Sequence, residues 1–451
     1  MNSNQNQPRE FDVVLGGENP APVTGVVLGG IEGVKRRLES EIVDVRIKAL
    51  NDALGYGDNG LDLLIEALKN DSLQIKRFAS RLLKECGGNR GKQALLEFDH
   101  NLYFTKIDNW SFQEIDSHLN NDRNIENAYI FTNICIGEQE EHIIDDAFQY
   151  LKYFKYYNIQ EQENTLDNLT EILKDAKFDK IEAFQCKYAR PTSEKIVANY
   201  LINAKERLKN IKALYVGDKH DYEYKTSNVI LGNISNILEA YPYLEALQVR
   251  GFGYDLSYLS FTPLKHRFLK TLIIETGYML ESKIIDQICE LELPELEYLE
   301  LWLGYDEEYE PQYYEDRNPD DDFNSIKKSA LNNLLPIIRG EAFPNLKYLG
   351  LRSCNYTNAI AELIVHSPLL DNLVFLDLSM GNLTDEGADY LLDSPKINQL
   401  HALNLSMNIL SSEVVKELSN LKCQVITEMQ NKDSSYRYHV LSDYQHHIVY
   451  E

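Results

Sequence analysis

LKTLII (269–274), LEYLEL (296–301), LKYLGL (346–351), LVFLDL (373–378) and LHALNL (400–405) share one cadence: aliphatic residues at the first, fourth and sixth positions. IKALYV (211–216) and LEALQV (244–249) repeat it, and IEAFQC (181–186) is a weaker copy. Their starts are separated by 30, 33, 25, 27, 50, 27 and 27 residues. A period of this size holds one strand and one helix per turn. Within each strand the alternating aliphatic positions point to one side, into a core. Three positions after the last aliphatic stand Gly277, Gly304, Cys354, Gly381 and Asn408. They are small or hydrogen-bonding residues, suited to a tight turn. Helical stretches follow at 359–365, 385–392 and 411–418, the second entered through NLTDEGADYLL.

This period is that of leucine-rich repeats, and the helix lengths point to their ribonuclease-inhibitor style. The expected fold class is therefore α/β: a leucine-rich repeat solenoid over residues 176–430, a horseshoe with a concave parallel sheet and convex helices. The interval of 50 residues contains an insertion, YDEEYEPQYYEDRNPDDDF (305–323), with nine carboxylates and one arginine. It lacks the D-x-[DN]-x-[DN]-G calcium loop, so it reads as a solvated acidic segment suited to a basic peptide or protein face.

If the leucines face inward, the alternate strand residues face the concave surface. This reading places Tyr298, Tyr348 and Phe375 in one column and Trp302 with Arg352 in another, with Glu300 and Asp377 between them and Arg250 nearby. Tyr, Trp and Arg are the types enriched in binding hot spots. The expectation is an exposed aromatic column that recognises a partner protein. The competing reading has the rings packing on one another as cross-strand pairs.

Upstream, residues 1–30 form a Gly- and Pro-rich lead-in with VVLGG at 13–17 and 26–30. Residues 31–100 carry helical periodicity in two hairpins offset by 30 residues, matching Val45 with Ile75, Ala49 with Ala79 and Leu64 with Ala94. Residues 101–175 are expected to connect and cap the horseshoe, with LYFTKIDNWSF as a strand and turn, ENAYIFTNICI as a strand and a tyrosine-rich helix over 143–173. Residues 431–451 form a tail.

Two resemblances accompany these patterns. GVVLGGIEGVKRRLES and ALGYGDNGLDLLIEALKND are similar to the HEAT-type repeats of many cyanobacterial proteins. That likeness implies a helical interaction module and a cyanobacterial source, and some such proteins are phycobilin lyase subunits. IKALYVGD, YPYLEALQVRGFG, LELWLGYDEEY, FPNLKYLGLRSCNY, LDLSMGNLTDEGADYLL and RYHVLSD resemble a family of bacterial leucine-rich repeat proteins without an established function. This second likeness implies the fold and carries no catalytic residue.

The chain has 451 residues and a net charge of −26, from 71 acidic and 45 basic residues. Phosphate recognition needs clustered Lys and Arg, so neither nucleic acid nor an anionic membrane is expected as partner. Six scattered cysteines without a C-x-x-C pair fit a reducing compartment, and no apolar run has the roughly 18 residues of a membrane span. A cytoplasmic location follows. No H-E-x-x-H, G-x-S-x-G or Walker motif occurs, and His439, His446 and His447 read as incidental. No catalytic residue, cofactor or metal ligand is nominated. The expected role is a non-enzymatic protein-interaction scaffold. The alternatives are a regulator such as a GTPase-activating protein supplying Arg250 or Arg352, or a phycobilin lyase-type accessory factor.

Overall fold

The computed structural model describes residues 30–110, 113–114, 128–132, 178–179, 181–188, 197–218, 230–251, 258–276, 280–304 and 323–430. Two compact units divide the chain, Met1–Ser111 and Phe112–Glu451. The lead-in, the 143–173 helix, the acidic insertion and the tail histidines lie outside the described residues.

Among the described residues the first unit contains six α-helices: α1 (Gly30–Leu38), α2 (Val43–Ala53), α3 (Asp58–Ala67), α4 (Leu73–Cys86), α5 (Gly88–Phe98) and α6 (His100–Tyr103). Its core joins both hairpins through Leu50, Leu64, Leu68, Ile75, Ala79, Leu83 and Leu95. The 30-residue offset is visible in space, since Ala49 and Ala79 are both fully buried. Each hairpin closes tightly through a glycine. A Cβ on Gly60 would stand 1.8 Å from the Ala53 carbonyl oxygen, and one on Gly91 2.6 Å from that of Leu83. Ala53 and Leu83 are themselves one offset pair.

The strand expected in LYFTKIDNWSF (102–112) is corrected over its described residues. The Asp99 carboxylate accepts a bond from the Asn101 N–H at 2.9 Å and starts the short helix α6 instead. Leu102 and Tyr103 pack on the helical core, which outweighs their preference for a strand.

Among the described residues the second unit has thirteen strands: β1 (Gln113–Glu114), β2 (Ala128–Thr132), β3 (Ala183–Tyr188), β4 (Ala213–Asp218), β5 (Gly232–Asn233), β6 (Ala246–Gly251), β7 (Leu259–Ser260), β8 (Thr271–Thr276), β9 (Tyr298–Trp302), β10 (Tyr348–Arg352), β11 (Phe375–Asp377), β12 (Ala402–Asn404) and β13 (Gln424–Ile426). Eleven of them form one sheet in the order β1-β2-β3-β4-β6-β8-β9-β10-β11-β12-β13, and β5 pairs with β7. Neighbouring strands of the large sheet run parallel, as one-strand-per-repeat winding requires. The ladder extends beyond the expected residues 176–430 at its N-terminal end, where β1 and β2 add two rungs.

Leu272, Leu299, Leu349, Leu376 and Leu403 stand in register across β8 to β12, and all are fully buried. Helices Ser282–Cys289, Thr357–Ile364, Asp385–Asp393 and Ser412–Leu418 cover that face with Ile284, Ile288, Ile360, Ile364, Leu391 and Leu418. Each such side chain contributes about 1.5–3 kcal/mol when fully buried. The last three helices match the expected positions within two residues at each end. The architecture is thus a parallel-sheet solenoid of the leucine-rich kind.

The turns after the strands follow a repeated rule. Ser353, Met380, Met407 and Met429 adopt left-handed backbone with φ between 49° and 60°. Asn408, fully buried, donates from Nδ2 to the carbonyls of Leu378 and Leu405, each at 3.0 Å, and accepts from the Leu383 N–H at 3.0 Å. One repeat earlier Gly381 takes the same place for lack of room. A Cβ there would meet Thr357 Oγ1 at 2.3 Å and Asn408 Oδ1 at 2.8 Å.

A second rule governs the residue just before each strand. Backbone N–H groups of Lys212, Glu245, Lys270, Glu297 and Lys347 each donate to the carbonyl of the preceding residue in this series, which begins at Glu182. Their side chains alternate in charge. Lys212 pairs with Glu182 at 3.0 Å, and Lys270 with Glu245 at 2.8 Å.

Candidate functional site

Opposite the leucines, the other face of the sheet carries the eight residues singled out from the sequence. Pairing between β9, β10 and β11 sets Tyr298 beside Tyr348 and Tyr348 beside Phe375. The same register sets Glu300, Gly350 and Asp377 in one row and Trp302 beside Arg352. Arg250 on β6 lies beside Glu275 on β8. The columns are as expected.

Their exposure is not. Tyr298, Tyr348 and Phe375 retain only 2%, 5% and 3% of their accessible surface. The Tyr298 and Tyr348 rings stack at 3.8 Å between centroids with planes 10° apart, and Phe375 continues the stack at 5.1 Å. The exposed aromatic column is therefore corrected to a packed one. In-register strands bring flat rings within stacking distance. Trp302, Glu300, Asp377 and Arg250 are also buried, while Arg352 is partly exposed.

Polar groups in this cluster bind one another. The Tyr298 hydroxyl donates to Glu300 Oε2 at 2.6 Å, and Trp302 Nε1 donates to Glu300 Oε1 at 2.7 Å. Arg352 adds a bond from Nη1 to Glu300 Oε1 at 2.9 Å and one from Nε to Ser379 Oγ at 3.1 Å. Tyr348 donates to Asp377 Oδ2 at 2.9 Å, and Asn404 Nδ2 reaches the same oxygen at 3.1 Å. The Arg352 guanidinium lies 4.9 Å from the Trp302 ring centroid, a cation–π distance. Glu275 holds Arg250 at 3.1 Å and Gln248 at 2.6 Å.

Burial, reinforced by the Glu300 carboxylate, raises the Tyr298 hydroxyl pKa well above its ordinary value. Burial and then Asp377 do the same for Tyr348. For Arg352, burial opposes the charge, but Glu300 and Asp377 outweigh it and hold the guanidinium protonated. The result is a fixed cation between two anions, with both tyrosines kept neutral.

Two residues of this cluster escaped the sequence reading. Met380 and Met407 pack against Trp302, and Met380 Sδ accepts a bond from Arg352 Nη2 at 3.2 Å. The signal was present in SMGNL (379–383) and SMNIL (406–410), which place methionine at the same left-handed turn position.

No protein-family model and no curated protein matches the chain. Among solved structures, a Bacteroides fragilis protein from a structural genomics programme shares 28% identity over 61% of this chain and 74% of its own, with a TM-score of 0.49. An internalin from Listeria monocytogenes shares 12% identity over 59% of this chain and 77% of its own, with a TM-score of 0.26. The fold assignment rests on the ladder's own register.

Among the described residues no three His, Cys, Asp or Glu side chains are grouped to hold a metal ion, and no helix is long and apolar enough to cross a membrane. Burial pushes the thiols of Cys186 and Cys289 up to about 12, which leaves them protonated and weakly nucleophilic at neutral pH.

Proposed function

We propose that the chain is a non-enzymatic interaction scaffold whose sheet face receives a partner protein, within the cytoplasm. The observation that carries this reading is Arg352. It is partly exposed, rigidly held by Glu300 and Ser379 and backed by Trp302. An arginine fixed in advance loses little freedom on binding, and such residues dominate interface energetics. Among the described residues Gln248, Ser353, Asn404 and Ile426 are further partly exposed groups on or beside this face.

The same geometry favours a structural over a catalytic role for the carboxylates. Glu300 and Asp377 are committed to Tyr, Trp, Arg and Asn donors. A general base needs a lone pair free for its substrate. Arg250, buried against Glu275, is ill placed to serve as an arginine finger in a GTPase partner. In this proposal the helical unit is a HEAT-type module of the cyanobacterial kind, a second surface for partners.

The test is site-specific photo-cross-linking. A photoreactive phenylalanine analogue replaces Asn404 on the sheet face or Glu417 on the exposed side of helix Ser412–Leu418. A partner trapped from position 404 and not from 417 supports binding at the sheet face. Trapping only from 417 sinks it.

A further inference from the structure

His266 lies away from the Arg352 cluster, on the segment leading into β8, and is only 3% exposed. Its Nδ1 faces two backbone donors, Leu269 N–H at 3.1 Å and Phe268 N–H at 3.4 Å. A nitrogen that accepts from N–H groups carries no proton, so the neutral ring holds its hydrogen on Nε2. Nε2 then donates to the Tyr241 carbonyl at 3.1 Å, on the segment leading into β6. One imidazole thus ties together the lead-ins of two adjacent rungs. The His266 backbone N–H donates to the Glu292 carbonyl at 3.0 Å, adding the lead-in of a third.

Two aromatic rings stand at matching positions on the tied segments. Tyr243 immediately precedes the LEALQV cadence and Phe268 the LKTLII cadence. They are 62% and 46% exposed, with centroids 5.5 Å apart.

We infer that His266 is an acid-sensitive latch, whose protonation at Nδ1 releases the Phe268–Leu269 turn from the Tyr241 turn and uncouples the Tyr243–Phe268 ring pair. A proton from solvent converts Nδ1 from acceptor to donor, facing two other donors. The bond to Leu269 is lost, and a charge is created where burial disfavours it. Charged and titratable groups on the three lead-ins are Lys265, Arg267 and Lys270 on its own segment, Glu239, Tyr241, Tyr243 and Glu245 on the preceding one, and Glu290, Glu292, Glu295 and Glu297 on the following one. Of these, Lys270 is paired with Glu245 and Lys265 with Glu292, while the Tyr241 hydroxyl donates to the Leu201 carbonyl. Burial lowers the His266 pKa below its ordinary value, and the Tyr241 carbonyl partly offsets that. The latch is therefore closed at neutral pH and opens only on acidification.

The experiment uses the full chain with Tyr243→Trp as reporter, read by its emission from pH 7.5 to 5 after subtraction of the parent protein's signal. Far-UV circular dichroism tracks the fold in parallel. His266→Asn on the same background keeps a non-titrating acceptor near the Nδ1 position. The expected result is a reporter transition below pH 6.5 at constant dichroism in the His266 protein, and none in His266→Asn. The same transition in both, or none before the dichroism collapses, overturns the latch. A second readout needs no substitution: hydrogen exchange of the peptide containing Leu269, corrected for intrinsic pH dependence. As pH falls below the ordinary histidine value of about 6.5, its protection should fall by up to tenfold per pH unit until the lowered closed-state pKa is passed, where the loss levels off. Protection that stays constant while the rest of the sheet is folded also overturns it.

Discussion

Asn408 answers four backbone groups with one carboxamide, and of these the Leu405 carbonyl also accepts from Gln430 Nε2 at 2.9 Å. Asn408→Ala should cost about 2–4 kcal/mol, since each buried group left without a partner costs about 1–3 kcal/mol and some relax. Urea unfolding would measure it, and a loss below about 1 kcal/mol would contradict the assigned bonding. Glu300→Gln should cost about 1–3 kcal/mol, because it removes the nearer of the two carboxylates that pair with the Arg352 guanidinium and leaves Asp377 at 3.8 Å. A double-mutant cycle with Arg352→Met tests the pairing, and additive losses would show that the two side chains do not interact. Tyr298 and Tyr348, with hydroxyls raised above the ordinary tyrosine value of about 10, give a sign for alkaline pH. Below pH 10 both folded and unfolded chains keep the proton. As pH rises past 10 the unfolded chain loses it first, so stability falls. Tyr348→Phe should flatten that alkaline slope in a series of unfolding midpoints. At this scale the sequence reading located the columns correctly, because alternation in a strand fixes which side chains share a face. It misjudged their exposure, because ring stacking between strands leaves no trace in the spacing within any one strand.

At the scale of elements, legibility tracked the leucines. Rungs with aliphatic residues at all three cadence positions were found, and three others were not fully recognised as rungs. In β13, registered on β12, the cadence positions fall on Lys422, Val425 and Thr427. In β2 the described ones fall on Tyr129 and Phe131, and β1 is too short to show a pattern. These rungs close the sheet toward its ends, where a full leucine core is not required. The helical hairpins make a sharper demand at a single site. Gly60→Ala drives a methyl into the Ala53 carbonyl, so α2 and α3 must separate. We expect a loss of about 1–3 kcal/mol, seen as faster hydrogen exchange in peptides from 43–67, while Gly57→Ala would act through its positive φ instead. Unchanged exchange in Gly60→Ala would show that the hairpin is looser than its geometry.

Over the whole chain the charge is unevenly placed. Residues 30–110 hold 13 basic and 13 acidic side chains, so the surplus of 26 carboxylates lies elsewhere. Self-repulsion on that scale destabilises a folded state and is screened by salt. Raising ionic strength from about 10 mM to about 150 mM should therefore raise the thermal midpoint of the second unit more than that of the first. A calorimetric scan showing equal shifts would place the repulsion outside the repeats.

The alternating column before the strands, Glu182, Lys212, Glu245, Lys270, Glu297 and Lys347, carries a rule of parity. Excising one rung between β4 and β9 sets two like charges side by side at the new junction. Excising two neighbouring rungs restores the alternation. Gene-level shortening or duplication within this stretch would then be tolerated in steps of two, and the number of turns becomes a quantity the charges count.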